Sequence, residues 1–127
     1  MIQKELMLDN IVGNVDFPGE FHSIRHINRD DPEVGLIDDG YYYKTEISKL
    51  HGIPLTPEIL EKCGFRRHDN YFNHDNFDGF HILRYHDGEC VIELGDQFHI
   101  LSAPFSFLHQ LQNLYFALTG KELTIIL

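Results

Sequence analysis

The sequence is poor in positive charge. Lys and Arg together number 10 against 20 Asp and Glu, so the net charge is −10 over 127 residues. Such a surface repels nucleic-acid phosphates and anionic lipid headgroups. We therefore expect neither a nucleic acid nor a membrane as a partner.

Long apolar runs are missing as well. No stretch approaches the roughly 18 apolar residues that a membrane helix needs. The first twelve residues, MIQKELMLDNIV, have no basic region followed by an apolar run, so no signal peptide is predicted. These absences predict a cytoplasmic protein.

Cysteine is also scarce, with Cys63 in a helical pattern and Cys90 in a strand pattern. Both are predicted to be small buried side chains in a reducing compartment, with a disulfide between them as the alternative. The sequence calls for no cofactor, because it has neither a glycine-rich phosphate loop nor a G-x-S-x-G nucleophile motif.

What the sequence does have is apolar material. It is 43% hydrophobic and contains ten Phe and six Tyr, enough for a core without a structural metal. The predicted organisation is a single domain, 1–127, with two subdomains, 1–52 and 53–127, as an alternative.

Short β-type segments dominate the first half. Strands are predicted at 11–15 and 21–27, followed by a hairpin over 33–47 with Asp39-Gly40 at its turn. Several short strands joined by tight turns predict a small curled sheet or barrel.

A capped helix follows at 55–65. Thr56 is predicted to be the N-cap, Pro57 occupies the first helical position, and Gly64 can take the left-handed conformation that ends the helix.

The remainder predicts an antiparallel meander over 70–103, a helix over 106–120 and a terminal strand at 122–127. Ser106 is the predicted N-cap of the long helix. An apolar stripe on that helix should face the sheet; it comprises Phe107, Leu108, Leu111, Leu114, Tyr115 and Leu118. The predicted fold class is α+β.

Two segments resemble a known pattern. GIPLTPEILEKCGF (52–65) and FLHQLQNLYFALTGKELTI (107–125) resemble uncharacterised small proteins of gut Bacteroidetes and their phages, and ELMLDNIV (5–12) resembles the start of those proteins more loosely. The resemblance implies a β-rich N-terminal half and an accessory role in phage-derived or mobile genomes. It implies no catalytic residue and no cofactor.

The segment 66–89 is rich in histidine and aspartate. Asp, Asn and Gly are turn formers, and their positions between apolar runs predict hairpin turns. The alternative is a metal site formed by His74, His81 and His86 from neighbouring strands, as in a metal-dependent hydrolase. An ion would need several ligands converging on it, and no fixed spacing here enforces that.

Two further groups are ambiguous. His22 and His26 should share one face of a strand, too far apart to chelate one ion. Tyr41, Tyr42 and Tyr43 could stack on a flat ligand of nucleotide type, although alternation in a strand points Tyr42 away from the other two.

The back of the long helix is the predicted interface. His109, Gln112, Asn113 and Phe116 lie opposite the leucine stripe. An aromatic residue among amides suits a contact with a second copy or another protein, whereas burial within the chain is the structural alternative. The predicted function is therefore non-catalytic self-association or protein binding. The alternatives are small-ligand sequestration by the tyrosines and hydrolysis at the His/Asp segment.

Overall fold

The computed structural model describes residues 6–28, 30–69, 71–77, 81–94 and 99–126, apart from the side chain of residue 99. This part of the chain forms two five-stranded antiparallel sheets, a short helix and one longer C-terminal helix. The predicted α+β class, with a curled β-rich N-terminal half, is confirmed. The chain divides into two compact units, and each is described by itself.

The first unit comprises Met1–Ile53 and Phe107–Asn113. The strand order of its sheet is β4-β3-β2-β1-β5. The strands are β1 (Ile11–Asn14), β2 (His22–Ile27), β3 (Glu33–Asp38), β4 (Tyr41–Glu46) and β5 (Leu50–His51). A 3-10 turn, Ile47–Lys49, connects the last two strands.

The hairpin predicted at 33–47 is present as β3 and β4. Asp39 and Gly40 both have positive φ, 49° and 88°, which is the backbone that a two-residue primed turn requires. One face of this sheet is apolar, and its buried side chains form one cluster. The cluster comprises Leu6, Val12, Ile24, Val34, Leu36 and Leu50.

The second unit comprises Pro54–Ser106 and Leu114–Leu127. Its sheet has the strand order β10-β9-β8-β7-β6. The strands are β6 (Arg66–His68), β7 (Tyr71–Asn73), β8 (His81–His86), β9 (Glu89–Leu94) and β10 (His99–Ile100). The predicted meander is confirmed for β7 to β10, and β6 is a strand that the sequence pattern did not reveal.

The short helix α1 spans Pro57–Lys62. Its predicted cap is confirmed, since the Thr56 side chain accepts a hydrogen bond from Ile59 N at 3.2 Å. Gly64 has φ +88° and ends the helix. Its only fully buried side chain is Leu60, so α1 packs through a narrow contact.

The long helix α2 spans Leu108–Thr119. It begins two residues after the predicted N-cap, Ser106, and the Gln110 side chain accepts a hydrogen bond from Phe107 N instead. Gly120, with φ +70°, follows its last residue as predicted. The first half of α2 belongs to the first unit and its second half to the second unit.

The predicted terminal strand is wrong for residues 122–126, which have no regular secondary structure. Ile126 N donates to Lys62 O at the end of α1, and Leu123 is buried. Residues 122–126 have a β-type composition, but they contact the end of α1 instead of adding a strand to the sheet. Neither of the helices in the described ranges has the length and apolar character that a membrane crossing demands.

Candidate functional site

Helix α2 positions the four residues predicted to form an interface, and it uses three of them internally. His109 is only 2% exposed. The Gln112 side chain accepts from Ile11 N at 2.7 Å and donates to Asp9 O at 3.0 Å. Asn113 accepts from the Asn10 side chain at 2.8 Å. These contacts tie the first half of α2 to the start of β1, within the first unit.

The fourth residue, Phe116, is different. Its side chain is 45% exposed, and the next two residues, Ala117 and Leu118, are exposed as well. Phe116, Ala117 and Leu118 are called the Phe116 patch below. The helix that carries it contains no Asp, Glu, Lys or Arg, in a chain of which 24% is charged.

The tyrosine run lies on β4, at the edge of the first sheet. Tyr41 and Tyr42 are 79% and 54% exposed, whereas Tyr43 packs against the core of the unit. The Tyr42 ring lies over Gly35, where an added Cβ would overlap the phenol. The three rings therefore do not form one stacking surface.

His74 holds the end of α1 in place. Its Nε2 is 3.2 Å from the carbonyl oxygen of Cys63, and its Nδ1 accepts from Asn76 N at 3.2 Å. A carbonyl only accepts and a backbone N–H only donates, so the neutral tautomer with hydrogen on Nε2 satisfies both. Burial lowers the pKa of His74, opposed by its hydrogen bond to Cys63. Both ring nitrogens thus have structural partners.

His81 and His86 do not converge with His74. They occupy the two ends of β8, five residues apart, which places them on opposite faces and about 16 Å from each other. The predicted turns of this region are confirmed at Asp69, Asp87 and Gly88, all of which have positive φ. Asn70 and residues 78–80 of the same segment lie outside the described residues.

The residues whose ligand atoms do converge lie in the first unit. Across the described ranges, one group of three or more potential metal ligands has its atoms within 4.8 Å of one another, and it consists of Glu20, His22 and Asp38. Glu20 precedes β2, His22 begins β2, and Asp38 ends β3. The antiparallel pair Ser23–Ile37 brings these strand ends together.

His22 is the buried member of this group. Its side chain is 1% exposed, while those of Glu20 and Asp38 are 53% and 36% exposed. Nδ1 lies 2.9 Å from the hydroxyl of Tyr43. The Phe17 ring packs against both His22 and Tyr43, with centroids 5.7 Å away in each case.

Tyr43 links His22 to Asn14 through its hydroxyl group. Its hydroxyl also accepts from the Asn14 side chain at 3.3 Å. Burial raises the pKa of Tyr43; the hydrogen bond from Asn14 opposes that shift, and the neighbouring carboxylates, Asp38 first, add to it. Tyr43 is therefore a neutral phenol at physiological pH.

The sequence pattern missed this group. It predicted His22 and His26 on one strand face, but the register shifts between Ile24 and His26, and His26 is exposed. The available signal was the predicted hairpin, which places Asp38 at a strand end. The pairing of β2 with β3, needed to bring His22 opposite Asp38, is not readable from spacing.

The two cysteines are not nucleophiles. Both thiols are free and buried. Burial raises the pKa of each to about 12, so the reactive thiolate is not populated near neutral pH.

Comparison with protein-family models, curated proteins and solved structures gives no match. The resemblance to small proteins of gut Bacteroidetes and their phages stays a prediction from the motifs alone.

Proposed function

We propose that this protein acts by binding rather than by catalysis, as a small cytoplasmic protein that pairs with a second copy through the Phe116 patch. The observation that carries the proposal is the exposed, charge-free end of α2. The wider prediction of an accessory role in phage or mobile genomes depends on the motif resemblance.

The composition of the patch supports a protein contact. Interface centres are depleted of charged residues and enriched in aromatic ones. Phe116, on the last turns of the helix, offers an anchor of this kind; Ala117 and Leu118 follow it at steps of about 100° around the axis, so the exposed surface wraps around the helix end. Of the three polar residues first predicted beside it, His109 is buried, and Gln112 and Asn113 form hydrogen bonds within the chain, so the interface narrows to the patch itself.

The charge of the chain favours this location. Two copies that each carry a net charge of −10 repel one another. Close approach costs least where neither surface has a charged side chain, and α2 meets that condition. A two-fold axis there would place Phe116 of one copy against the same patch of the other, as isologous dimers require.

The test is mass by light scattering across a range of protein concentration. The wild type should approach twice 14.8 kDa as concentration rises. Phe116→Asp should remain at monomer mass while keeping its circular dichroism spectrum, because a buried carboxylate at the interface centre would be unpaired.

Leu101→Asp is the matched control, since Leu101 is also 45% exposed in the same unit but lies outside α2. It should dimerise like the wild type. If Phe116→Asp fails to fold, Phe116→Ala tests the same anchor by removing the ring without adding a charge. A wild type that stays monomeric at several hundred micromolar, or a folded Phe116→Asp that dimerises normally, contradicts the proposal.

A further inference from the structure

The group Glu20, His22 and Asp38 has one feature that ordinary surface carboxylates lack, a buried imidazole nitrogen without a hydrogen bond. Within the described residues, His22 Nε2 has no hydrogen-bond partner. The group facing it is the Glu20 carboxylate, whose Oε2 lies 3.7 Å away, beyond hydrogen-bond distance. Leaving a buried polar atom without a partner destabilises the fold, so an additional ligand on Nε2 would be favourable.

The other ring nitrogen of His22, Nδ1, already has a hydrogen-bond partner. Nδ1 lies 2.9 Å from the Tyr43 hydroxyl, and Asn14 in turn holds that hydroxyl. Histidines that bind metals commonly donate their second N–H to an oxygen atom of a carboxylate, a backbone carbonyl or water, which fixes the tautomer and aims the free lone pair. In a metal-bound state of this site, the Tyr43 hydroxyl oxygen would be that acceptor. With hydrogen on Nδ1, the lone pair of His22 is on Nε2, the side on which Glu20 lies.

We propose that Glu20, His22 and Asp38 bind one divalent transition-metal ion, of which zinc is the best fit. One neutral imidazole and two carboxylates supply two negative charges for a divalent cation. An imidazole ligand suits zinc and its neighbours, whereas calcium and magnesium prefer all-oxygen ligands. Three protein ligands leave one tetrahedral position for water or a further ligand.

The spacing requires a small closure. Ligand atoms about 2.1 Å from one zinc ion at tetrahedral angles lie about 3.4 Å apart. Glu20 Oε2 lies 3.7 Å from Nε2, Asp38 Oδ2 lies 3.9 Å from Nδ1, and one ligand atom from each of the three residues lies within 4.8 Å of the others. Glu20 is exposed and Asp38 is partly exposed, so rotation of their side chains can make up the difference while the buried imidazole stays fixed.

The neighbours determine how the site is protected. The Phe17 ring, packed against His22 and Tyr43, shields one side of the imidazole from water. Tyr43 is a positioning residue, because it touches the imidazole on the nitrogen opposite the proposed ligand bond.

The experiment is titration of the full chain with zinc chloride by calorimetry, with magnesium chloride as the comparison. The wild type should bind one equivalent of zinc with micromolar or tighter affinity and show no saturable heat with magnesium. In a two-dimensional NMR spectrum of the imidazole nitrogens, the His22 Nε2 signal should shift on zinc addition.

Because the chain has nine histidines, variants must identify the site. Glu20→Gln and Asp38→Asn change partly exposed side chains and should each weaken zinc binding at least tenfold. Tyr43→Phe should weaken it by about 10–100-fold through loss of positioning. His26→Gln is the matched control, since His26 is exposed on the same strand, and it should bind like the wild type.

Two outcomes overturn the proposal. One is an absence of saturable zinc binding up to millimolar zinc in the folded wild type. The other is binding that Glu20→Gln and Asp38→Asn leave unchanged, which would assign the ion to surface histidines elsewhere. The NMR signal of His22 keeps the test decisive even if a variant is partly unfolded.

Discussion

His22 in the first sheet and His74 in the second unit are both shielded imidazoles, yet their partners differ in kind. His74 contacts a backbone carbonyl and a backbone N–H, which together determine its tautomer and occupy both nitrogens. His22 contacts a phenol on one side and an exposed carboxylate, beyond hydrogen-bond distance, on the other. Backbone partners determine the tautomer of His74, although the Tyr115 hydroxyl also lies 3.4 Å from its Nδ1, whereas the Tyr43 hydroxyl can either donate to His22 Nδ1 or accept from it.

The same contrast explains why histidine density misleads. The segment 66–89 holds four of the nine histidines, but the ligand atoms that converge in the described part of the chain belong to His22 and two carboxylates at two strand ends. Convergence depends on which strands are neighbours in a sheet, not on how closely histidines follow one another in the chain.

The largest effects should come from the cores that hold these two environments. Ile24 in β2 and Leu83 in β8 are both completely buried, and Ile24→Ala or Leu83→Ala should each lower the free energy of unfolding by about 2–5 kcal/mol. Urea denaturation measures the loss. Ile100→Ala, at a residue 65% exposed, should change little, and a loss under about 1 kcal/mol in either core variant would contradict the packing described.

The pH dependence of stability should separate the two histidines further. The folded-state pKa of His74 is lowered by burial, so below about pH 6.5 the unfolded chain binds a proton that the folded chain resists. The stabilisation from neutral His74 is therefore complete above that pH and declines as the pH falls through the window between the two pKa values.

A His74→Gln variant removes the titration of His74 and keeps its hydrogen bonds, because an amide can still accept from Asn76 N and donate to Cys63 O. Its stability should fall less steeply than that of the wild type between pH 7 and pH 5, as followed by thermal unfolding. His86→Gln, at an exposed histidine, should keep the wild-type slope. An unchanged slope in His74→Gln would show that other groups govern the acid sensitivity.

The smallest effects should come from ion pairs, and they should follow burial rather than distance. Arg84 and Glu93 lie 2.6 Å apart with side chains 29% and 9% exposed, whereas Arg25 and Asp9 lie 2.8 Å apart and are 48% and 44% exposed. Glu93→Gln should cost about 1 kcal/mol, since a charge-assisted bond becomes a neutral one.

Asp9→Asn should stay within about 0.5 kcal/mol, because exposed pairs contribute little. Asparagine also tolerates the positive φ of 68° at this position. Both values come from the same denaturation measurement, and equal costs for the two substitutions would contradict the role assigned to burial.

Local chemistry explains the parts of the fold that were predicted correctly. Thr56, Gly64 and Asp39-Gly40 each act within a few residues of their own position, so capping and turn rules suffice for them. The strand prediction failed for residues 122–126, because a β-type composition does not say whether a neighbouring strand is available; residue 127 lies outside the described residues. The prediction that His22 and His26 share one strand face did not anticipate the register shift between Ile24 and His26, since that shift arises from the pairing of β2 with β3.

The candidate sites were also predictable only where they depend on neighbouring residues in the chain. The exposed Phe116 was recognisable from helical periodicity, because the opposite stripe had to face the core; that stripe was too wide, since Phe107 and Leu118 at its ends are 38% and 37% exposed. The hydrogen bonds of Gln112 and Asn113 within the chain were not recognisable, since their partners Ile11 and Asn10, at and just before the start of β1, are 101 and 103 residues away. The convergence of Glu20, His22 and Asp38 was likewise invisible, as it requires the pairing of β2 with β3.

The sequence by itself determined where helices are capped, where hairpins turn, which helix face is apolar, and that the surface is strongly acidic, because each depends on neighbouring residues or on summed composition. Only the tertiary structure decided which polar side chains have partners, since hydrogen bonds and ligand geometry join residues that the chain separates. The amides of α2, the locked imidazole of His74 and the available nitrogen of His22 all belong to that second class.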